Sequence, residues 1–247
     1  MRTVGRCLLV VLTALTPTAL MSTGPAHADD APPSAAGQPP QTLRFGVRLQ
    51  EVRQVKRRLR ELGFAPGAPG PEYDSALRMA VWAFQKANGL PALDRVDTAT
   101  RRAMARPARI RPLVPGGSPS RVEIDLTRQL LTVWRDGKAV LVSHVSTGAR
   151  KSYCDRGHCG FADTPPGDFT VGERVHGWST GPLGAMYYPV YFNGGIAVHG
   201  STLVPRRPAS HGCVRVPLHN AIPLFRMLRP GEPVHVRRPV LSWAGRA

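Results

Sequence analysis

The chain is 247 residues long and carries 33 lysines and arginines against 16 aspartates and glutamates, a formal charge of +17, with four cysteines. Such an excess favours anionic surroundings, whether polymers, lipid headgroups or peptide carboxylates, unless it reflects only heavy arginine usage and stays solvated. Nucleic acid is excluded as the main partner, because the chain has the marks of export and contains no recognisable nucleic-acid module.

Arg2 and Arg6 precede an apolar run from Cys7 to Met21, which is followed by Ala26-His27-Ala28. These are the charged, hydrophobic and small-residue parts of a secretory signal peptide, with cleavage expected after Ala28. The run is short and holds Pro17, so no stable membrane span is predicted, and Cys7 stands at the start of the run rather than after a small-residue lipobox. A secreted chain is expected, carrying +15 once Arg2 and Arg6 are gone. Residues 29–42 are proline- and alanine-rich, cannot bury enough apolar surface to fold, and are predicted to be a flexible spacer.

Val47, Val52, Val55, Leu59 and Leu62 recur at helical spacing up to Gly63; Leu77, Val81, Trp82 and Phe84 do so up to Asn88-Gly89; a third helix is predicted from Thr98 to Met104. A three-helix bundle over 43–106 is therefore expected, near the lower size limit for an independent core. Trp82 and Phe84 read as core residues whatever the bundle binds. A proline-bearing linker, 107–119, follows.

From 120 to 238 strands predominate, with a tail over 239–247. Val122, Ile124 and Leu126 alternate, Leu130, Leu131 and Val133 follow a turn, and Asp136-Gly137 is a hairpin signal leading into Ala139–Val145. Further strands are predicted at Gly167–Val171, Met186–Phe192, Ile196–His199 and Val234–Arg237, with one helix at Leu218–Leu228. The pattern predicts a mainly-β sandwich or partly open barrel.

Cys154 and Cys159 sit close together in YCDRGHCG, and in an oxidising compartment this spacing favours a small disulfide that staples the loop. A zinc site from Cys154, His158, Cys159 and a distant histidine matches no common structural spacing, so no metal and no cofactor are expected. Cys213 is left unpaired, and a lone thiol in a secreted protein points to reactivity or an intermolecular bridge.

The stretch GIAVHGSTLVPRRPASHGCVRVP, from Gly195 to Pro217, concentrates the chemistry. A short buried strand from Ile196 delivers His199 on a rigid support, Pro205 and Pro208 stiffen the return to Ser210, and Gly212 lets the backbone approach a substrate closely. A cysteine beside an imidazole supply is a candidate acyl acceptor, so Cys213 reads as nucleophile and His199 as base; the amides of His211, Gly212 and Cys213 could converge on an oxyanion.

His199-Gly200 and Ser210-His211-Gly212-Cys213-Val214-Arg215 resemble the signature of the L,D-transpeptidases of bacterial cell walls, the YkuD-like catalytic domain. VEIDLTRQLLTVWRDGKAV, HVSTGA, DTPPGDFTV and MYYPVYFNGGIAVHG fit the same family in the same order. VKRRLRELGF and VWAFQKANGLP resemble the helical peptidoglycan-binding module often fused to wall enzymes. The resemblance implies Cys213 as nucleophile, His199 as base and the carbonyl of Gly200 as third member of the triad. It implies peptidoglycan stem peptides and glycan as partners, and acylation of Cys213 by carbapenems. Ser210 and His211 are assigned to orienting the site, although the His211 ring could equally only pack. Arg215 could hold a substrate carboxylate or pair with a neighbouring acid. Tyr188 and Tyr191 are expected to share one face of their strand, as groove donors or as core aromatics. His144, His158, His176, His219 and His235 have no chemical context and read as surface or structural. The expected activity is 3,3 cross-linking by a monomer through a thioester with release of D-alanine; the rivals are an L,D-carboxypeptidase, a cysteine endopeptidase and a non-catalytic wall-binding protein.

Overall fold

The computed structural model describes residues 41–155 and 157–239. The expected signal segment, most of the spacer and most of the tail lie outside the described residues. An N-terminal helical module comprises β1 (Leu43–Arg44), α1 (Gln50–Glu61), α2 (Ser75–Ala87), β2 (Arg95–Val96) and α3 (Thr98–Ala105). In α1 the periodic Val52, Val55 and Leu59 form the buried stripe, while Val47 lies before the helix rather than in it. Gly63 ends the pattern with φ +83°, a backbone state that glycine takes without penalty. Asp74 and Asp97 cap α2 and α3, accepting from Leu77 N at 2.8 Å and from Thr100 N at 2.9 Å. Lys56 is 2% exposed, and its ammonium is satisfied by Asp74 Oδ2 at 2.7 Å and Ala68 O at 3.1 Å. The β1–β2 pair, Leu43 opposite Val96, ties the start of the module to its third helix and had no strand signal in the sequence.

The remainder is built from two packed sheets. Strands β3 (Arg121–Asp125), β4 (Leu130–Arg135) and β5 (Lys138–His144) lead, followed by β6 (Ser152–Asp155), β7 (His158–Phe161), β8 (Gly167–Thr170), β9 (Trp178–Gly181), β10 (Gly184–Asn193), β11 (Ile196–Ser201) and β12 (Val214–Pro217). Helix α4 (Leu218–Met227) and β13 (Pro233–Arg237) complete the domain. One sheet has the order β5-β4-β3-β13-β8, the other β12-β11-β10-β9, and β6-β7 stand apart as a hairpin. Neither sheet closes on itself, so the domain is β-rich with two packed sheets and is not a closed barrel. Val122, Ile124, Leu131 and Val133 of the first sheet meet Val190, Phe192, Val198, Val214 and Val216 of the second in one core, closed by Leu224 and Leu228 at α4. The Asp136-Gly137 turn has φ +50° and +72°, the mirror-image turn that matches strand twist.

Every residue of β3 is buried, so the outer face of the first sheet is not solvated as simple alternation would have it. Leu130 and Val142 point outward into the core of the helical module, joining Leu59, Phe64 and Phe84. Glu123 gathers Arg121 Nε (2.8 Å), Trp134 Nε1 (2.8 Å) and the amides of Leu113 (2.9 Å) and Val114 (3.2 Å). The proline-bearing linker is therefore stitched to β3 rather than free.

Candidate active site

The site grows out of the parallel pairing of β11 and β12, in which Val198 opposes Val214, His199 opposes Arg215 and Gly200 opposes Val216. Paired residues share a face and successive residues alternate, so Val198 and Val214 enter the core while His199, Arg215 and the preceding Cys213 face outward together. There they line a cavity of about 880 Å³ with Tyr191, Met186 and Leu203. The glycines are required where they stand. A Cβ on Gly200 would come within 2.8 Å of Ala221 Cβ, and Gly212, at φ +153°, would bring one to 3.0 Å from Asp163 O.

The turn carrying Cys213 is held from two sides. Ser210 Oγ donates to Cys213 O at 2.5 Å and accepts from Gly212 N at 3.1 Å. Thr164 Oγ1 donates to Gly212 O at 2.5 Å and accepts from Gly148 N at 2.9 Å. The amide of Gly212 is thereby spent on Ser210 and does not face a substrate, a correction to the expected trio of oxyanion donors.

His199 is 5% exposed and its Nδ1 lies 3.0 Å from Gly200 O. A carbonyl only accepts, so Nδ1 carries the proton and Nε2 keeps its lone pair. Burial pushes the imidazole down to about 4, aided by the Arg215 charge and opposed by the Gly200 carbonyl. Burial likewise pushes the Cys213 thiol up, against the Ala197 amide and the Arg215 charge. The resting pair is a neutral base and a neutral thiol, so the thiolate forms only as His199 takes its proton. Cys213 Sγ faces Gly195 O at 3.7 Å. An uncharged imidazole facing the same cavity as a thiol can take its proton as a carbon–sulfur bond forms, which is acyl-transfer chemistry.

The family model for the L,D-transpeptidase catalytic domain matches residues 119–236, and that for the peptidoglycan binding domain matches residues 48–104. The crystal structure of an L,D-transpeptidase from Xylanimonas cellulosilytica aligns with 81% of this chain and 100% of that one, at 36% identity and a TM-score of 0.75. The chain belongs to the L,D-transpeptidase family. A second L,D-transpeptidase, from Stackebrandtia nassauensis, aligns with 82% of this chain and 99% of its own at 24% identity, with a TM-score of 0.48. No curated protein compared with the chain matches it.

Within this transpeptidase domain His199, Ser210, His211, Gly212, Cys213, Arg215 and Tyr191 all line the one cavity. Tyr188 does not. Three residues before Tyr191, it takes φ +51° and turns to the opposite side, its hydroxyl 3.1 Å from His176 Nε2 and its ring 5.0 Å from that of Phe225. The shared face expected of Tyr188 and Tyr191 is thus wrong, and Tyr188 is a packing residue. The His211 ring packs against that of Tyr153, with centroids 4.5 Å apart and planes tilted by 56°. Cys154 and Cys159 are directly paired across the β6–β7 hairpin and form the disulfide, Cα to Cα 4.0 Å. Among the described residues, no group of three or more His, Cys, Asp or Glu is placed to hold a metal ion.

Sequence reasoning missed Tyr153, the 181–186 turn between β9 and β10, Leu203 and Thr164. Thr164 had a signal inside the DTPPGDFTV stretch, and Met186 one at the head of MYYPVYFNGGIAVHG. Tyr153 on β6, the residues joining β9 to β10 and Leu203 reach the cavity through tertiary pairing that has no local code.

Proposed function

We propose that the chain is a secreted peptidoglycan L,D-transpeptidase that joins two third-position stem residues through a thioester on Cys213. The observation that carries this reading is the proton-free Nε2 of His199 on the cavity face it shares with Cys213. Nε2 takes the thiol proton as sulfur attacks the carbonyl of the third residue of a tetrapeptide stem. The oxyanion rests on the amides of His211 and Cys213, since that of Gly212 is engaged by Ser210. The imidazolium returns the proton to the departing D-alanine nitrogen. His199 then accepts a proton from the amine of a second stem, the amine attacks the thioester, and the thiol is restored.

The Gly200 carbonyl at Nδ1 serves as the orienting third member and favours the imidazolium as it forms. Arg215 has no acidic partner among the described residues, its guanidinium donating to Ala209 O at 3.3 Å, and this supports a role in holding a stem carboxylate. We place the acting enzyme outside the cytoplasm as a monomer. No described helix is long and apolar enough to cross a membrane.

The test is product analysis by mass after incubating the mature chain, and Cys213→Ala, with a disaccharide carrying a tetrapeptide stem. A dimer lacking one D-alanine, absent with the variant, is expected. Hydrolysed tripeptide alone would move the assignment to an L,D-carboxypeptidase, and unchanged substrate with both proteins would sink it.

A further inference from the structure

The segment from Ser201 to Val214 joins two neighbouring parallel strands, a connection usually supplied by a packed helix. Here it is irregular, with His199 two residues before its start and Cys213 at its end. Leu203 of this segment is 63% exposed on the cavity, while Val204, the next residue, is 6% exposed. Side chains of the helical module grip the segment between them. Arg206 Nη1 donates to Ala92 O at 2.6 Å, and the guanidinium lies 5.3 Å from the ring centroid of Trp82 in α2. Lys86 Nζ, one turn further along α2, donates to Arg206 O at 3.3 Å and to His144 Nδ1 at 3.1 Å.

His144 passes the connection on. Burial pushes its ring down to about 3, so it is neutral, and with Nδ1 accepting from Lys86 its Nε2 proton points at the carbonyls of Val204 (3.3 Å) and Pro205 (3.1 Å). The Trp82 ring meets His144 edge-on at 5.3 Å, and Ser146 Oγ donates to Arg207 O at 2.8 Å. The backbone of 204–207 therefore has its carbonyls bound by α2 and by β5 and the residues after it, with Arg206 reaching back to the module.

We infer that the helical module is a working part of the catalytic site: Lys86 and Arg206 are positioning residues that clamp residues 202–209 and so fix the cavity wall that Leu203 contributes. A wall that is only part of the time in place weakens binding of a large substrate and leaves the intrinsic reactivity of the thiol unchanged. The functional half of the inference rests on the transpeptidase reading; the structural half does not.

The experiment compares the mature chain with Arg206→Ala, Lys86→Met and Arg206→Lys. Amide exchange of the 201–213 segment is expected to quicken about tenfold in the first two variants, with α1 and β3 unchanged. With the disaccharide tetrapeptide, KM is expected to rise about tenfold with kcat within about threefold, and the rate of Cys213 alkylation by iodoacetamide to stay within about twofold. Arg206→Lys, whose ammonium can still reach the Ala92 carbonyl, should recover most of the KM. Unchanged exchange in the segment would overturn the clamp, and so would quickened exchange with unchanged KM, or a joint fall in kcat and alkylation that marks general unfolding. A wild-type chain that fails to turn over this substrate removes the transpeptidase reading, and the exchange comparison still decides the clamp.

Discussion

At the scale of single residues, the decisive pair is a thiol raised by burial and an imidazole lowered by it. Each shift has the same origin, since burial of a group disfavours whichever of its forms is charged. The enzyme so described stores no thiolate, and the nucleophile appears only while His199 is taking its proton. Alkylation by iodoacetamide reads the thiolate directly, so its rate is expected to climb with pH through the ordinary thiol range and beyond, about tenfold per unit below the pKa. A rate already level from pH 6 upward would mean a preformed ion pair. Arg215→Met, which removes a charge that favours the thiolate, should move the climb to still higher pH.

At the scale of elements, the site was legible wherever local pattern and final environment agree. The Asp136-Gly137 hairpin, the stripe on α1 and the order His199 then Cys213 all follow from residues near each other in the chain. Strand β12 was not legible, because VRVP following a catalytic turn is short and is fixed by its parallel partner β11 and by the backbone bonds between Arg215 and Ser146, both distant in sequence. The β6–β7 hairpin was hidden for a different reason: it is largely exposed and polar, and is held by a disulfide and the tilted Tyr153–His211 ring contact rather than by an apolar face. Tyr188 was misplaced by its spacing: it stands three residues from Tyr191, and on an alternating strand an odd separation puts two side chains on opposite faces, which the register shift between Tyr187 and Val190 leaves unchanged. How the linker is attached was not legible, because the bonds of Glu123 to Leu113 and Val114 follow from no composition rule. Glu123→Ala leaves Arg121 buried without its counter-charge, and a loss of about 3 kcal/mol in unfolding free energy is expected, measured by urea titration at constant slope. A loss under about 1 kcal/mol would show the hub to be replaceable by water.

At the scale of the whole molecule, two buried neutral histidines couple stability to acidity. His144 and His199 have folded-state values of about 3 and about 4 against 6.5 when free. Between those limits the unfolded chain binds the extra protons, so stability is fully present above pH 6.5 and is lost as pH falls toward 4 and 3. Each ring is expected to cost about 2 kcal/mol between pH 7 and pH 5, and His144→Gln should remove its share of that slope in urea titrations. A slope unchanged in the variant would remove His144 from the account. The same histidine sits where Leu130 and Val142 of the sandwich complete the core of the helical module. A hydrophobic core that draws side chains from both sides of a linker cannot be divided at that linker without exposing what each side lends the other. For this transpeptidase, module swapping of the kind that treats binding and catalytic segments as interchangeable beads would cut through one solid, and a recombinant that keeps only the catalytic half would present a sticky face where its neighbour had been.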